Sequence, residues 1–398
     1  EAISHARAEG RPVLLASGAE AGLVARLGAR VGVAETMGSG AENLTGAAKA
    51  RALAARFGAG GFDYLGNAAT DIPVWQAAGA VQVVAPSSGL AGRLARLDLP
   101  TTAIGEGWRA RDLARALRPH QWIKNALLLL PLISAQVADV AEVGRVLAGV
   151  LAFCLAASAV YVVNDLLDLD ADRRHPTKRL RGLASGRVPI RVGMAAGMAA
   201  AAAALVVALA LGWAFTGVLA GYVAISLAYS LWLKRGRWVD LATLGWLYTH
   251  RTLAGSVAAG LPLTPWLVSF VLPGFVALAA VKRLTELARA APGARLPGRG
   301  YGGEDRRALL LVAAGAGLVS VAVLAGYATS TDAAALYPAP GWIAAAALCL
   351  AIWFGRMIRL GWAGRQDYDP VVFALRDPPG LALMAIAAGA IAIAAGAV

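Results

Sequence analysis

Apolar runs of about twenty residues recur along the last three quarters of this chain, and a helix needs roughly 20 such residues to cross a bilayer. Nine can be marked, near 120–137, 146–164, 193–212, 214–232, 239–258, 264–283, 308–328, 340–358 and 379–397. The third and ninth are Ala-rich and only weakly apolar for spans. Short polar stretches separate the runs, so the pattern predicts an all-α polytopic bundle of nine transmembrane helices.

Residues 1–100 follow a different rhythm, in which short β-like apolar runs alternate with Ala-rich amphipathic stretches and Gly or Pro marks the turns. Strands are expected at 12–16, 31–34, 62–65 and 81–85, with helices near 20–29, 46–58 and 71–79. That order predicts a small α/β domain with a parallel sheet of Rossmann-like kind. Residues 101–118 are expected to be an amphipathic linker, and 119–398 the membrane domain. The chain opens at Glu1 without a methionine, in what reads as the middle of the α/β domain. Residues 1–20 lack the charged start and apolar core of a secretory signal.

Composition agrees with a membrane protein, at 58% hydrophobic and 15% charged residues. The net charge of +13 raises the question of nucleic acid. Its distribution answers for a membrane: the cations gather before the first run (Arg109, Arg111, Arg115, Arg118) and after the second, fourth, sixth and eighth. The intervening loops hold almost none, Arg145 being the exception. By the positive-inside rule the N-terminus and the charged loops are cytoplasmic and the C-terminus is outside, as in a multi-pass protein of a bacterial-type plasma membrane. Cys154 and Cys349 each stand alone within expected spans, as small buried hydrophobes.

The most specific chemistry follows the second run, in Asn164-Asp165-Leu-Leu-Asp168-Leu-Asp170-Ala-Asp172-Arg-Arg-His175-Pro176-Thr-Lys178-Arg-Leu-Arg181. Carboxylates at the end of an apolar span are costly and call for a partner. On a continuing helix Asp165, Asp168 and Asp172 share one face and Asp170 points away. Three stacked carboxylates suit magnesium, which takes a few of them with waters and phosphate oxygens. Lys178 and Arg181 can then hold the same diphosphate. His120 and His250 each stand alone and read as interfacial hydrogen-bonding groups.

This run resembles the first Asp-rich motif of the UbiA superfamily of intramembrane transferases, and the likeness covers roughly residues 115 to 398. It implies a nine-helix bundle, Mg2+, and catalytic residues at Asp165, Asp168, Asp172 and Asp240. The second motif of that family is matched by Tyr229-Ser230-Leu-Trp-Leu-Lys234-Arg-Gly-Arg-Trp-Val-Asp240 followed by Arg251, with one acid where quinone-type members carry more. Three stretches resemble decaprenyl-phosphate phosphoribosyltransferases: Arg118-Pro119-His120-Gln121-Trp122-Ile-Lys124-Asn125, His175-Pro176-x-Lys178-x-x-Arg181, and Lys282-Arg283-x-x-Glu286. Gly182 departs from the usual Pro. The resemblance implies transfer of phosphoribosyl from phosphoribosyl diphosphate to polyprenyl phosphate. A 5-phosphate and a lipid phosphate need cations beyond those serving the diphosphate, and Lys124, Lys234, Arg251, Lys282 and Arg283 supply them. The alternatives are prenyl transfer to an aromatic or lipid acceptor, and a non-enzymatic lipid-binding scaffold. A scaffold has no use for the carboxylates. The stretch Asp367-Tyr368-Asp369-Pro370 is similar to the family's last cytoplasmic loop, but its acids have no spacing that defines a site.

Residues 11–86 resemble the second half of a haloacid dehalogenase-like phosphatase, with Ser17 at its second motif, Lys49 at its third and Asn67 to Asp71 at its acidic fourth. In such enzymes Ser and Lys hold the phosphoryl group and acids bind magnesium. The aspartate nucleophile motif is not in this chain, and Asn67 stands where Asp is common, so an inactive or regulatory domain is expected.

Topology is directly testable: in a cysteine-free background, a Pro176→Cys variant should react with membrane-impermeant thiol reagents from the cytoplasmic side alone. Labelling from outside would overturn the orientation.

Overall fold

The computed structural model describes residues 2–105, 107–291, 293–366 and 369–396. They divide into two compact units, one of residues 1–113 with 186–189, the other of 114–185 with 190–398.

The first unit runs α1 (Ala2–Ala8), β1 (Leu14–Glu20), α2 (Ala21–Val31), β2 (Glu35–Ser39), α3 (Gly46–Phe57), β3 (Asp63–Gly66), α4 (Ile72–Ala77), β4 (Ala80–Val84), α5 (Ser88–Arg96) and β5 (Thr101–Ile104). All pairings are parallel, β1 with β2, and β3 with β4 with β5. The one continuous sheet expected is therefore two, of two and three strands. No ladder joins β1 to β3; instead Leu14, Ala16, Met37, Phe62 and Tyr64 pack on Ala50, Leu53 and Val74. The second strand also lies later than expected. Helix α2 runs on to Val31 and ends on Gly32 at φ 75°, a left-handed cap that favours glycine, so the chain turns before it extends. The fifth strand occupies residues expected to be linker: Val81 to Val84 on β4 leave an unpaired edge that Thr101 to Ile104 fill.

The second unit is helical. Following α6 (Ala110–Ala116), a 3₁₀ helix over Pro119–Leu129 leads into α7 (Leu130–Ser134). There follow α8 (Val140–Leu167), α9 (Leu169–Arg174), α10 (Ile190–Leu211), α11 (Trp213–Leu231), α12 (Arg237–Ala259), α13 (Pro265–Arg289), α14 (Arg306–Tyr327), α15 (Thr331–Leu336), α16 (Gly341–Trp362), α17 (Pro370–Ala374) and α18 (Pro378–Ala394). Among the described residues six helices are long and apolar enough to cross a membrane: α8, α10, α11, α13, α14 with its leading turn, and α16. The count of nine is not reached on that measure, for three separate reasons. The first expected span is wound as 3₁₀ helix, α18 has only 17 residues, and α12 carries Asp240, His250 and Arg251.

Helix α12 is central. One flank packs with α8, α11 and the 119–134 segment through Leu128, Phe153, Phe215, Tyr222, Leu247 and Ala258. The other joins α13 and α14 through Leu241, Leu244, Ala280, Leu284 and Leu309. Gly255 makes the first contact possible, because a Cβ there would collide with the backbone carbonyl of Leu128.

Gly255→Ala should therefore lower stability by about 1–3 kcal/mol through overpacking, read as a fall in the unfolding midpoint in detergent. Gly217→Ala, on α11 with nothing within 4 Å of a new Cβ, should not. Equal effects would refute the close approach.

Candidate active site

The first motif does not continue as one helix. Helix α8 ends at Leu167, and Asp168, at φ −93° and ψ 8°, caps it and opens the short α9. Asp165 and Asp172 nevertheless converge. Both are buried, and one guanidinium nitrogen of Arg181 lies 3.2 Å from the former and 2.6 Å from the latter. Arg118 also pairs with Asp165 and stacks 4.9 Å over the Tyr161 ring. Asp168, with its side chain 49% exposed, faces Lys234 at 4.0 Å, while Asp170 is 85% exposed. The stacked trio expected for magnesium is thus a buried pair plus an outlier, and among the described residues no group of three or more His, Cys, Asp or Glu is placed to hold a metal. The break at Asp168 is the physical reason. The pair still fits a hard cation: two carboxylates already bracket one cationic nitrogen, and the neighbouring Asn164 Oδ1 is buried with no hydrogen-bond partner. Lys178 lies on an exposed 3₁₀ turn at 178–180.

The second motif forms a closed knot. Asp240 has no solvent exposure, and Arg283, also at 0%, holds both its oxygens, at 2.6 and 2.8 Å. Arg299 adds 2.8 Å and the Tyr229 hydroxyl 2.9 Å. Arg283 reaches Glu286 at 2.5 Å with its remaining nitrogen. Arg283 is consequently not the surplus substrate cation expected of it, and Asp240 has no free oxygen facing a ligand. Arg299 went unnoticed in the sequence because it stands in a Gly- and Pro-rich loop. Gly300 lets that loop close, since a Cβ there would lie 3.1 Å from the backbone at Arg235 and Arg237.

Arg251 is buried too, bonded to Asn125 Oδ1 at 2.9 Å, Leu247 O at 2.5 Å and the Tyr222 hydroxyl at 3.1 Å. His250 bonds Val218 O at 2.8 Å, and His120 is exposed.

A third cluster was not foreseen. Asp369 pairs with Lys124, lies 3.9 Å from Lys282, and accepts from the Tyr248 hydroxyl at 3.3 Å. Its other oxygen caps α17 by accepting from Val371 and Val372. Burial alone would raise this carboxyl, but Lys124 and Lys282 more than offset that and hold it below the ordinary value. Asp367 and Tyr368 lie outside the described residues. Lys124 reaches Asp369 by virtue of 3₁₀ winding. At three residues per turn it falls on the same face as Arg118, roughly 12 Å along the axis. Arg118 itself sits at φ 55° directly before Pro119, an uncommon conformation that costs of order 1–3 kcal/mol.

In the first unit Lys49 lies 3.3 Å from Asp71 and 3.0 Å from the Tyr64 hydroxyl. Burial opposes the charged amine, yet these partners hold it above its ordinary value. Asp71 also accepts from the backbone of Asn67 and Ala68. Among the described residues no hydrogen bond or ion pair links the Ser17 or Asn67 side chains to this pair.

Residues 127–386 match the UbiA prenyltransferase family, and the chain belongs to that family. It is an integral membrane protein of the transferase class. Along 98% of its length it is 35% identical to an uncharacterized protein of Sinorhizobium fredii, covering 77% of that relative. It is 39% identical to the decaprenyl-phosphate phosphoribosyltransferase of Mycolicibacterium smegmatis, over 44% of this chain and 57% of that one. Digeranylgeranylglyceryl phosphate synthase shares the fold, with a TM-score of 0.50 and 14% identity over 72% of this chain and 98% of that chain.

Asp240→Asn should destabilise by about 3–5 kcal/mol, because it breaks the buried pair and leaves Arg283 and Arg299 to share the one charge of Glu286. Asp170→Asn should change stability by less than about 0.5 kcal/mol. Denaturation of the two variants in the same detergent decides, and similar midpoints would refute the knot.

Proposed function

We propose that this protein is a magnesium-dependent transferase that moves a phosphoribosyl group from phosphoribosyl diphosphate to a polyprenyl phosphate and releases pyrophosphate. The observation that carries this reading is the separation of the site's basic side chains into two groups. One surrounds Asp165 and Asp172, the other Asp369. A prenyl diphosphate with a neutral acceptor needs the first group only. The two substrates proposed here bring a diphosphate and two further phosphates, which use both. The similarity to a decaprenyl-phosphate phosphoribosyltransferase over part of the chain supports the same choice. The second reading, prenyl transfer, has the family itself in its favour.

In this mechanism Asp165 and Asp172, with Asn164 Oδ1, would hold magnesium. The ion supplies charge neutralisation to the departing diphosphate. Arg181 and Arg118 exchange carboxylate partners for diphosphate oxygens, and Lys178 and Lys234 lie on adjoining turns to assist. Each donates to charge that grows as the bond to the ribosyl carbon breaks, which is the condition for lowering a barrier. Asp240 acts as a positioning residue by fixing Arg299 and the 290–302 loop, and Asp168 holds Lys234.

We further propose that nine spans cross the membrane, with the site at its cytoplasmic side. The 119–134 segment fits this, since 3₁₀ helix rises about 2.0 Å per residue and lets 16 residues reach roughly 30 Å, a bilayer's hydrocarbon thickness. The first unit is a haloacid dehalogenase-like domain without phosphatase activity in this chain.

Purified protein supplied with magnesium and phosphoribosyl diphosphate plus polyprenyl phosphate should release pyrophosphate and form the phosphoribosylated lipid. Polyprenyl diphosphate plus an aromatic acid should give no product. Asp165→Asn and Asp172→Asn should each lower turnover by at least about a hundredfold, and Asp170→Asn by less than about threefold. Turnover with the prenyl pair alone would overturn the assignment.

A further inference from the structure

We infer that Lys124, Lys282 and Tyr248 form a phosphomonoester subsite, separate from the diphosphate site at Asp165 and Asp172, in which Asp369 is a resident counter-ion that substrate displaces. This deepens the proposed reaction and rests on it for the identity of the ligand.

Charge balance sets the Asp369 cluster apart from the two Asp-rich motifs. At the first motif Asp165 and Asp172 face Arg118 and Arg181, so the charges cancel. At the second, Asp240 and Glu286 face Arg283 and Arg299 and cancel again. Around Asp369, among the described residues, they do not. Lys124 and Lys282 share its single negative charge, and Arg251 adds a third cation, stacked 5.6 Å over the Tyr248 ring. Among the described residues the hydrogen-bond partners of Arg251 are neutral: Asn125, Tyr222 and the Leu247 carbonyl. Buried cations without counter-ions are costly, and a protein keeps them where an anion is to bind. A phosphomonoester at neutral pH carries between one and two negative charges and several acceptor oxygens. It would come close to neutralising the cluster, which one carboxylate cannot.

Geometry agrees. Groups from three elements, Lys124 on the 3₁₀ helix, Tyr248 on α12 and Lys282 on α13, surround one carboxylate oxygen, with Tyr248 at 3.3 Å and Lys282 at 3.9 Å, as they could surround a phosphate. Asp369 is attached by a different oxygen, which caps the five-residue α17. Its hold on the lysines can therefore be given up while the cap remains. Two chemical sources fit the subsite, the lipid phosphate of the acceptor and the 5-phosphate of the donor.

The test measures direct binding to the full chain in lipid nanodiscs, with polyprenyl phosphate, phosphoribosyl diphosphate, polyprenol and magnesium pyrophosphate as separate probes. Lys282→Gln and Lys124→Gln should weaken one phosphomonoester-bearing probe by about tenfold or more, with polyprenol and magnesium pyrophosphate within about twofold. Loss on the polyprenyl phosphate arm assigns the subsite to the acceptor, and loss on the other arm to the donor. Asp369→Asn, nearly isosteric, should tighten the same probe by about threefold or more, because it removes the competing charge. Tyr248→Phe, which deletes one hydroxyl only, guards against misfolding of the lysine variants and should weaken that probe alone. The subsite is overturned if Asp369→Asn weakens binding, or if the lysine variants affect pyrophosphate as much as the phosphomonoesters. A protein that binds polyprenyl phosphate through Lys124 and Lys282 but never binds phosphoribosyl diphosphate would retain the subsite and lose the proposed reaction.

Discussion

A carboxylate and a guanidinium, both wholly removed from solvent, fasten α12 to α13. Neither could remain charged there alone, since an isolated buried ion costs several kcal/mol even after relaxation. The pair forces its own surroundings. Asp240 needs further donors, which Tyr229 and Arg299 provide, and Arg283 needs a second acceptor, which Glu286 provides. Since Arg299 comes from the loop after α13, that loop must fold back across the helix ends, and Gly300 and the buried Tyr301 follow from the same demand. Helix α12 meanwhile carries Arg251 about three turns further along, so this one helix connects two apolar clusters and contributes to two of the three polar ones.

Because that knot is electrically closed, it cannot also serve as an open ligand set. The roles of the two Asp-rich motifs therefore separate. The first keeps carboxylates whose cationic partners are partly exposed side chains, Arg118 and Arg181. Such partners can change partner at modest cost, whereas Arg283, wholly buried against Asp240, cannot. A single acid in the second motif is thus consistent with a structural and positioning duty.

The sequence reveals long apolar helices well, because hydropathy reads composition and α8, α10, α11, α13, α14 and α16 are apolar throughout. It marks α12 as well, as the apolar run at 239–258, although Asp240, His250 and Arg251 keep that helix out of the six. The Asp pair was legible by spacing, but only partly: helical phase placed Asp165 and Asp172 together, while the break at Asp168 depends on local backbone angles that no periodicity records. Asp369 was passed over because its partners stand 245 and 87 positions earlier along the chain, at Lys124 and Lys282, and no local spacing encodes such a meeting. Arg283 was mistaken for a free cation for the same reason, as its partner Asp240 lies on another helix. In the first unit, alternation marked strands correctly as a class, but the Gly32 cap moved one of them and β5 came from a stretch with too little apolar signal to be noticed.

Winding connects the two anion clusters. Over six residues an α-helix turns by about 600°, which would set residue 124 some 240° away from residue 118 and onto a different face. A 3₁₀ helix turns by about 720° and returns to the same face. The bond from the Gln121 amide to the Arg118 carbonyl, 2.9 Å across three residues, shows that the tighter winding begins at Arg118. With Arg118 on Asp165 and Lys124 on Asp369, the same helical face touches both clusters. The unfavourable φ of Arg118 and the weaker hydrogen bonds of an eleven-residue 3₁₀ run are costs that no local interaction returns. The ion pairs of Arg118, at its cap, and of Lys124, midway along it, oppose these costs and hold the segment in this form. Relaxation to α-helix would separate Lys124 from Asp369, and with it the second cluster from the first.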